Sequence, residues 1–205
     1  MAEKLNINIE YNSREIVQVV LENLLKMLER RKLINSWKDE LKTINDFTKT
    51  TFDIKLKDKN MLSIYHLTTK LSSIVQGTPL NDFLSNNIDI PKIVVCREPQ
   101  KKVLSQIIKD FKNVEFFIET EMLEDLPSKV FIPEHQLLNA DEKKELLTKF
   151  LEHDLAKIFS TDVMARYYGG KVGDIFRIVR PSITSGKNII YRRVINGPID
   201  ILFEK

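Results

Sequence analysis

The side chains best suited to binding chemistry gather near the carboxyl end of the chain, between Asp162 and Arg193. This segment holds seven basic residues against two acidic ones, Asp162 and Asp174. The basic residues are Arg166, Lys171, Arg177, Arg180, Lys187, Arg192 and Arg193. Because arginine pairs in a two-pronged way with carboxylates and with backbone oxygens, the segment is expected to bind anions or acidic partners.

A strand, a loop and a second strand are predicted within the same segment. The apolar runs Ile175–Val179 and Ile189–Val194 flank a loop at Pro181–Lys187. This loop is too long for a two-residue turn, so we expect a longer hairpin loop in which Gly186 takes a positive φ. Arg180 would then lie at the mouth of the loop.

No familiar pattern for a metal, a nucleotide or a nucleophile appears in the chain. The histidines His66, His135 and His153 are distant from one another and from the single cysteine, Cys96, so the spacing of a zinc site is missing. The stretch Gly169–Gly173 lacks the Gly-Lys-Ser/Thr order of a phosphate-binding loop. We therefore expect no metal, no cofactor and no catalytic residue, with Cys96 as a buried small hydrophobic side chain.

Three carboxylates, Glu115, Glu119 and Glu121, fall in or just after a predicted strand. Alternation would place them on one face of that strand, which is commonly a solvated face. The strand lacks the lysine two residues after a glutamate that would favour a nuclease. An independent endonuclease-like or basic nucleic-acid-binding protein remains the alternative class.

Composition bounds the architecture that must position these side chains. With 205 residues, of which 42% are hydrophobic, the chain can form one large or two small domains. No apolar run approaches the roughly 18–20 residues of a membrane span, and no signal peptide is expected. The net charge of +3 is mild, but an acidic segment, Glu121–Asp154, precedes the basic one. This asymmetry indicates oriented contacts with more than one partner, or else two solvated faces.

The N-terminal part is predicted to be an α/β domain. Apolar residues recur at helical spacing from about Ser13 to Leu33, and the basic residues that end this helix are explained by the helix dipole. The segment Lys92–Ile118 is predicted as strand, helix and strand, a βαβ unit that implies parallel strands. Glu119–Pro127 is then an acidic connector.

A small α+β domain is predicted beyond a boundary at Pro127 and Ser128, giving domains 1–127 and 128–205. Val130–Ile132 is predicted as a short strand. Asn139, with Glu142 three residues later, forms the capping box of a helix.

Four motifs in this second part occur in a recognisable order: IPEH at 132–135, ARYYG at 165–169, RPSITSG at 180–186 and YR at 191–192. Together they resemble the C-terminal assembly domain of the shared fifth subunit of eukaryotic nuclear RNA polymerases, a family that includes the archaeal homologue. The resemblance is strong over Ser128–Val194 and weaker over Ile93–Leu104.

The chain departs from the family pattern at several positions. Val163 stands where the family usually has proline, Gly170 where it has a larger apolar residue, Val172 where it is basic and Ile183 where it is acidic. Residues 195–205 look like an added tail. Such divergence, with a Lys/Asn/Ile-rich composition, is similar to the versions encoded by large cytoplasmic DNA viruses of the African swine fever type. That origin implies the host cytoplasm and the virion, whereas a cellular homologue implies the nucleus.

The resemblance implies a non-catalytic polymerase subunit, present as one copy in a hetero-oligomer. Its C-terminal domain would dock on the largest subunit, and its N-terminal domain would form a jaw, an inactive restriction-endonuclease-like fold, beside downstream double-stranded DNA. The residues expected to dock are Arg166, Tyr167, Tyr168, Arg180, Pro181, Gly186, Tyr191 and Arg192. Alternatively, the arginines brace their own domain and the tyrosines fill a core.

For DNA contact the candidates are Arg97, Pro99, Lys101 and Lys102, where a helix start and nearby cations would attract phosphate. The family places its matching turn near DNA, but Glu98 replaces a threonine here, and a solvated turn is the alternative. Contacts of this kind would be weak, salt-sensitive and without sequence readout.

Overall fold

The computed structural model describes residues 13–182 and 186–203. The N-terminal half contains α1 (Ser13–Arg30), α2 (Trp37–Thr43), β1 (Thr51–Lys55), β2 (Met61–Leu71), α3 (Pro79–Ser85), β3 (Lys92–Pro99), α4 (Lys101–Asp110), β4 (Val114–Ile118) and α5 (Glu119–Met122). The C-terminal half contains β5 (Glu134–Leu137), α6 (Ala140–Lys149), β6 (Ala156–Phe159), α7 (Val163–Tyr167), β7 (Ile175–Ser182) and β8 (Gly186–Ile195). Among the described residues, no helix combines the length and apolar character needed to cross a membrane.

The first four strands form one sheet in the order β1-β2-β3-β4. We call this sheet, together with helices α1–α5, the N-terminal lobe. β1 and β2 are antiparallel, whereas β2, β3 and β4 are parallel. The predicted βαβ unit is therefore confirmed. One face of the sheet packs against α1 and the other against α3 and α4. Cys96 is fully buried in β3, and burial raises the pKa of its thiol to about 11.

The last four strands form a second sheet in the order β5-β7-β8-β6. We call this sheet, together with helices α6 and α7, the C-terminal lobe. β5, β7 and β8 are antiparallel, and β6 runs parallel to β8. One face carries an apolar cluster shared with α7, and the other carries a cluster shared with α6. The expected α+β character is observed.

The predicted strand at Val130–Ile132 is wrong. The amide of Ile132 donates to the carbonyl of Lys129 at 3.0 Å, which closes a turn instead of joining a sheet. Val130 and Phe131 are 99% and 81% exposed. The strand begins only at Glu134, after Pro133, whose ring removes the amide that a ladder needs.

The hairpin between β7 and β8 is longer in its strands and shorter in its loop than predicted. The ladder continues to the pair Ser182 and Gly186, so Arg180 and Pro181 belong to a strand. Gly186 has φ +71°, which confirms the expectation of a left-handed residue there. Residues 183–185 of the predicted loop lie outside the described residues.

Gly170, a departure from the family pattern, has a structural explanation in Phe176. A Cβ added at Gly170 would lie 2.7 Å from Phe176 Cε2, and Phe176 is fully buried. The phenylalanine thus fills the space that a larger residue at 170 would occupy.

Gly170→Leu is expected to destabilise the chain by about 1–3 kcal/mol, because overpacking forces neighbouring side chains to shift. Urea unfolding at equilibrium measures this loss. Adding Phe176→Val should recover part of it, since the two changes share one space. Additive losses in the double variant would contradict the explanation.

Candidate functional site: an arginine joint and a basic hairpin

Two consecutive arginines at the end of α1 connect the two lobes. Arg30 Nη2 donates to Asp125 Oδ2 at 2.8 Å, and its Nη1 donates to the hydroxyl of Tyr167 at 2.6 Å. Arg31 Nε donates to the carbonyl of Tyr167 at 2.8 Å, while its two Nη atoms bind both oxygens of Glu115. The helix dipole alone therefore does not account for these cations, because both hold a residue of the C-terminal lobe.

A third arginine, Arg166 in α7, makes the reverse connection. Its Nη1 donates to Glu121 Oε2 and to the carbonyl of Phe116, each at 2.9 Å. Its Nε donates to the carbonyl of Thr161 at 3.1 Å. Glu121 and Phe116 belong to the N-terminal lobe, so Arg166 spans the boundary between the sheets. We call Arg30, Arg31 and Arg166, with the groups that they bind, the interlobe joint.

Two of the predicted docking residues lie within the joint. The side chain of Arg166 is only 15% exposed and is engaged on every nitrogen. Tyr167 is 1% exposed, and burial raises the pKa of its hydroxyl to about 12. Tyr168 is half-buried against Tyr167, with ring centroids 5.3 Å apart. Arg166 and Tyr167 therefore brace the chain internally, and Tyr168 helps to fill a core.

The three carboxylates that were expected on one strand face are separated. β4 ends at Ile118, so Glu119 and Glu121 lie on the short helix α5. Glu115 binds Arg31 and Glu121 binds Arg166. Glu119 binds Arg97. Each carboxylate thus already has an arginine partner, and within residues 13–182 and 186–203 no group of three metal-ligating side chains is assembled.

Glu119 takes part in a buried network of its own. Its Oε2 lies 3.0 Å from His66 Nε2, and its Oε1 accepts from Arg97 Nε at 2.7 Å. Burial alone would raise the pKa of Glu119, but the hydrogen bonds from His66 and Arg97 outweigh it and hold the pKa below its ordinary value. This network joins β2, β3 and α5 inside the N-terminal lobe.

The remaining docking residues of the β7–β8 hairpin lie on two opposite faces. Successive side chains of a strand alternate between faces, and Phe176 and Ile178 fix one face as that of α7. Arg180 and Arg192 share this α7 face. Pro181 and Tyr191 lie on the α6 face, so a single flat surface cannot contain all four.

The α7 face of the hairpin is cationic. Among the described residues, no carboxylate forms an ion pair with Arg180 or Arg192, nor with Arg177 on the α6 face. The Nε atoms of Arg192 and of Arg193 on the α6 face are both buried without a hydrogen-bond partner. His135 lies opposite Ile178 on the same face and donates from Nδ1 to the carbonyl of Pro133 at 2.7 Å. Burial lowers the pKa of His135; the hydrogen bond to Pro133 and the charge of Asp162 oppose this shift, while Arg180 and Arg192 add to it.

The α6 face is more apolar. Tyr191 is half-buried, and its ring centroid lies 6.4 Å from that of Phe150, which is 51% exposed. Ile189 on the same face is 45% exposed. A shallow groove of about 360 Å³ runs between α6 and the hairpin beside these rings. Gly186, at the hairpin tip, is exposed with open space around it.

The predicted DNA-contact residues lie together around the start of α4. Pro99 is the last residue of β3, and Lys101 is the first residue of α4. Arg97 is 40% exposed although it binds Glu119. The Lys101 side chain is 57% exposed and forms an ion pair with Asp200 of the C-terminal tail, and Lys102 is exposed.

A cleft of about 670 Å³ separates this turn from the C-terminal lobe. Arg97 and Pro99 line one side, and Asp162 and Arg166 line the other. Sequence reasoning missed this juxtaposition, as it missed the partners of Arg30 and Arg31. The sequence showed the basic end of α1 and the acidic connector, but it did not show that Arg30 pairs with Asp125 of that connector.

Comparisons with known proteins bear on both lobes. The family described as RNA polymerase Rpb5, C-terminal domain, matches residues 125–194. DNA-directed RNA polymerase subunit 5 of Acanthamoeba polyphaga mimivirus is 30% identical over 190 residues, which cover 87% of this chain and 92% of the relative.

Cellular relatives match over a shorter length. The subunit rpabc1 of DNA-directed RNA polymerases I, II and III from Dictyostelium discoideum is 40% identical over 95 residues, 45% of this chain and 48% of the relative. The corresponding Caenorhabditis elegans subunit is 38% identical over 84 residues, 40% of each chain. Among these three relatives, the mimivirus subunit matches over the greatest length.

Proposed function

The chain belongs to the family of DNA-directed RNA polymerase subunit 5, and on that premise we propose that it docks on the largest subunit of its polymerase through the C-terminal lobe. Its role is in transcription, as a subunit that does not itself catalyse nucleotide addition. The observation that supports the docking site is the cationic α7 face, where Arg180 and Arg192 have no carboxylate partner among the described residues.

The N-terminal lobe serves as a jaw beside the downstream DNA duplex. Arg97 at the end of β3 and Lys101 and Lys102 at the start of α4 are the cations that would meet phosphate groups, and the two lysines are the more exposed. Phosphate contacts position a protein without reading sequence, so binding by the isolated chain is weak and salt-sensitive. An inactive restriction-endonuclease-like fold is proposed for this lobe on the basis of its mixed sheet. Its inactivity is supported by the arginine partners of Glu115, Glu119 and Glu121.

The boundary between jaw and assembly domains falls near Pro127 and Ser128. These residues lie in a 3₁₀ turn that follows α5 and precedes the turn closed by Lys129 and Ile132. The segment before the boundary is packed, because Met122 is buried and Asp125 binds Arg30. The two domains thus form separate sheets joined by a tethered connector.

A viral origin is supported by the length of the mimivirus match, which exceeds that of the cellular relatives. An origin in a virus of the African swine fever type is a finer proposal that rests on composition and divergence. A viral subunit would act in the host cytoplasm and be packaged in the virion. Each polymerase would contain one copy.

Co-expression of the tagged chain with the largest subunit of its polymerase tests the proposed function. The large subunit should be recovered with the tag in salt that disrupts non-specific contacts, because a family member docks by a defined surface. A tagged chain in which the order of residues 128–194 is shuffled is the matched control. Equal recovery with the control, or no recovery with the intact chain, would overturn the proposal.

A further inference from the structure

The C-terminal tail joins the two lobes, and it lies beyond residues 125–194, which match the family. We propose that residues 196–203 form a strap that fixes the N-terminal lobe in one orientation relative to the C-terminal lobe. The strap residues are positioning residues for the proposed jaw. This inference does not depend on which polymerase surface the chain docks to.

The strap begins in the C-terminal lobe and ends on the N-terminal lobe. β8 ends at Ile195 in the second sheet. A 3₁₀ segment, Ile199–Phe203, then packs its Ile199, Leu202 and Phe203 side chains against the apolar cluster of β3, β4 and α4. The tail therefore buries its own apolar side chains on the opposite lobe, which an unattached tail would leave in water.

The first part of the strap is held closely against the C-terminal lobe. The amide of Gly197 donates to Ser160 Oγ at 3.2 Å. A Cβ built at Gly197 would lie 2.2 Å from Thr161 Oγ1 and 2.8 Å from Phe159 Cβ. No side chain fits at this distance, so glycine is what allows the tail to leave the sheet along this path.

The connection between the two attachments has little slack. Only residues 196–198 separate the end of β8 from the 3₁₀ segment, and three residues span at most about 11 Å when fully extended. Pro198 further restricts the backbone, because its ring fixes φ. Any rotation of one lobe against the other would have to pull Leu202 and Phe203 out of their contacts.

The second attachment also has a polar component. Asp200 forms an ion pair with Lys101, the first residue of α4. Both side chains are more than half exposed, so the pair contributes little stability. The pair instead fixes where the strap lies, because it holds Asp200 beside the start of α4, next to the proposed DNA-contact residues.

Distance measurements between the lobes test the strap directly. Spin labels would be attached to cysteines introduced at Lys109 of α4 and Lys144 of α6, both of which lie on the outer surface of their helices. The native Cys96 is fully buried and will not compete for the label. Double electron–electron resonance on the full chain then reports the distribution of distances between the two lobes.

The test variant is Leu202→Asn/Phe203→Asn, and its matched control is Val130→Asn/Phe131→Asn, which changes two exposed apolar residues of similar size outside the strap. We expect the label distribution to be narrow in the parent and the control, and at least twofold wider in the strap variant. Far-ultraviolet circular dichroism of each variant monitors the fold.

Two results would overturn the strap. An unchanged width in the folded Leu202→Asn/Phe203→Asn chain would show that the interlobe joint suffices without the tail. Equal broadening in the control would show that the labels report general loosening. If the Leu202→Asn/Phe203→Asn chain does not fold, Gly197→Ala provides the test, because it perturbs only the first attachment. The proposal then requires that Gly197→Ala broaden the distribution of label distances.

Discussion

Replacing Arg166 with methionine is expected to destabilise the chain by about 3–5 kcal/mol, because it leaves a largely buried carboxylate without its partner. Glu121 is 17% exposed at its side chain and receives both terminal nitrogens of Arg166. The same substitution leaves the carbonyls of Phe116 and Thr161 without this donor. Equilibrium unfolding in urea measures the loss.

The double variant Arg166→Met/Glu121→Met separates the ion pair from the packing around it. Replacement of both members of a buried pair by apolar side chains is often nearly neutral, so the double variant should be more stable than Arg166→Met alone. The exposed pair of Glu145 and Lys149 provides the matched control. Lys149→Met should leave the free energy of unfolding almost unchanged, because exposed ion pairs contribute little. A similarly small loss for Arg166→Met would show that the joint does not hold the lobes together.

The asymmetry between these two pairs explains why the joint was not predicted. Glu145 and Lys149 are four residues apart on one helix, a relation visible in the sequence. Arg166 and Glu121 are separated by 45 residues, and Arg30 and Tyr167 by 137. No local pattern connects such residues, so the sequence indicated the charges without indicating their partners.

The elements with strong local patterns were predicted well. Helical periodicity identified α1, and the βαβ unit followed from two apolar runs flanking an amphipathic helix. β2 was not identified. Its central side chains, including those of Tyr65 and His66, are buried on both faces of the sheet, so the strand lacks the alternation expected for a half-exposed strand.

The predicted docking residues were likewise located in part by local sequence motifs and in part only by the structure. The motifs located the hairpin, and Gly186 has the positive φ that its loop position indicated. They could not indicate that Tyr167 is buried or that Arg180 and Tyr191 point to opposite faces, because both depend on strand register and on contacts with α1. The register of β7 and β8 places the candidate residues on two separate faces of the hairpin.

The α7 face, the proposed docking surface, is expected to bind the largest subunit through specific hydrogen bonds as well as through its charge. Arg180→Ala/Arg192→Ala is expected to weaken binding of the largest subunit at least ~100-fold, since hydrogen bonds to charged groups contribute about 1.5–3 kcal/mol each. Quantitative copurification over a range of subunit concentrations measures the change. In the free chain the pKa of His135 should rise in this variant, because both arginines lower it.

Arg177→Ala/Arg193→Ala is the matched control because it removes the same charge from the same two strands on the α6 face. Arg193 already lies 3.6 Å from Glu152, so its loss removes less unpaired positive charge than the loss of Arg180 or Arg192. We expect this control to weaken binding less than tenfold. Equal weakening by the two double variants would mean that the partner senses only the overall charge of the hairpin. A stronger effect of the control would move the docking surface to the α6 face, beside Tyr191 and Phe150.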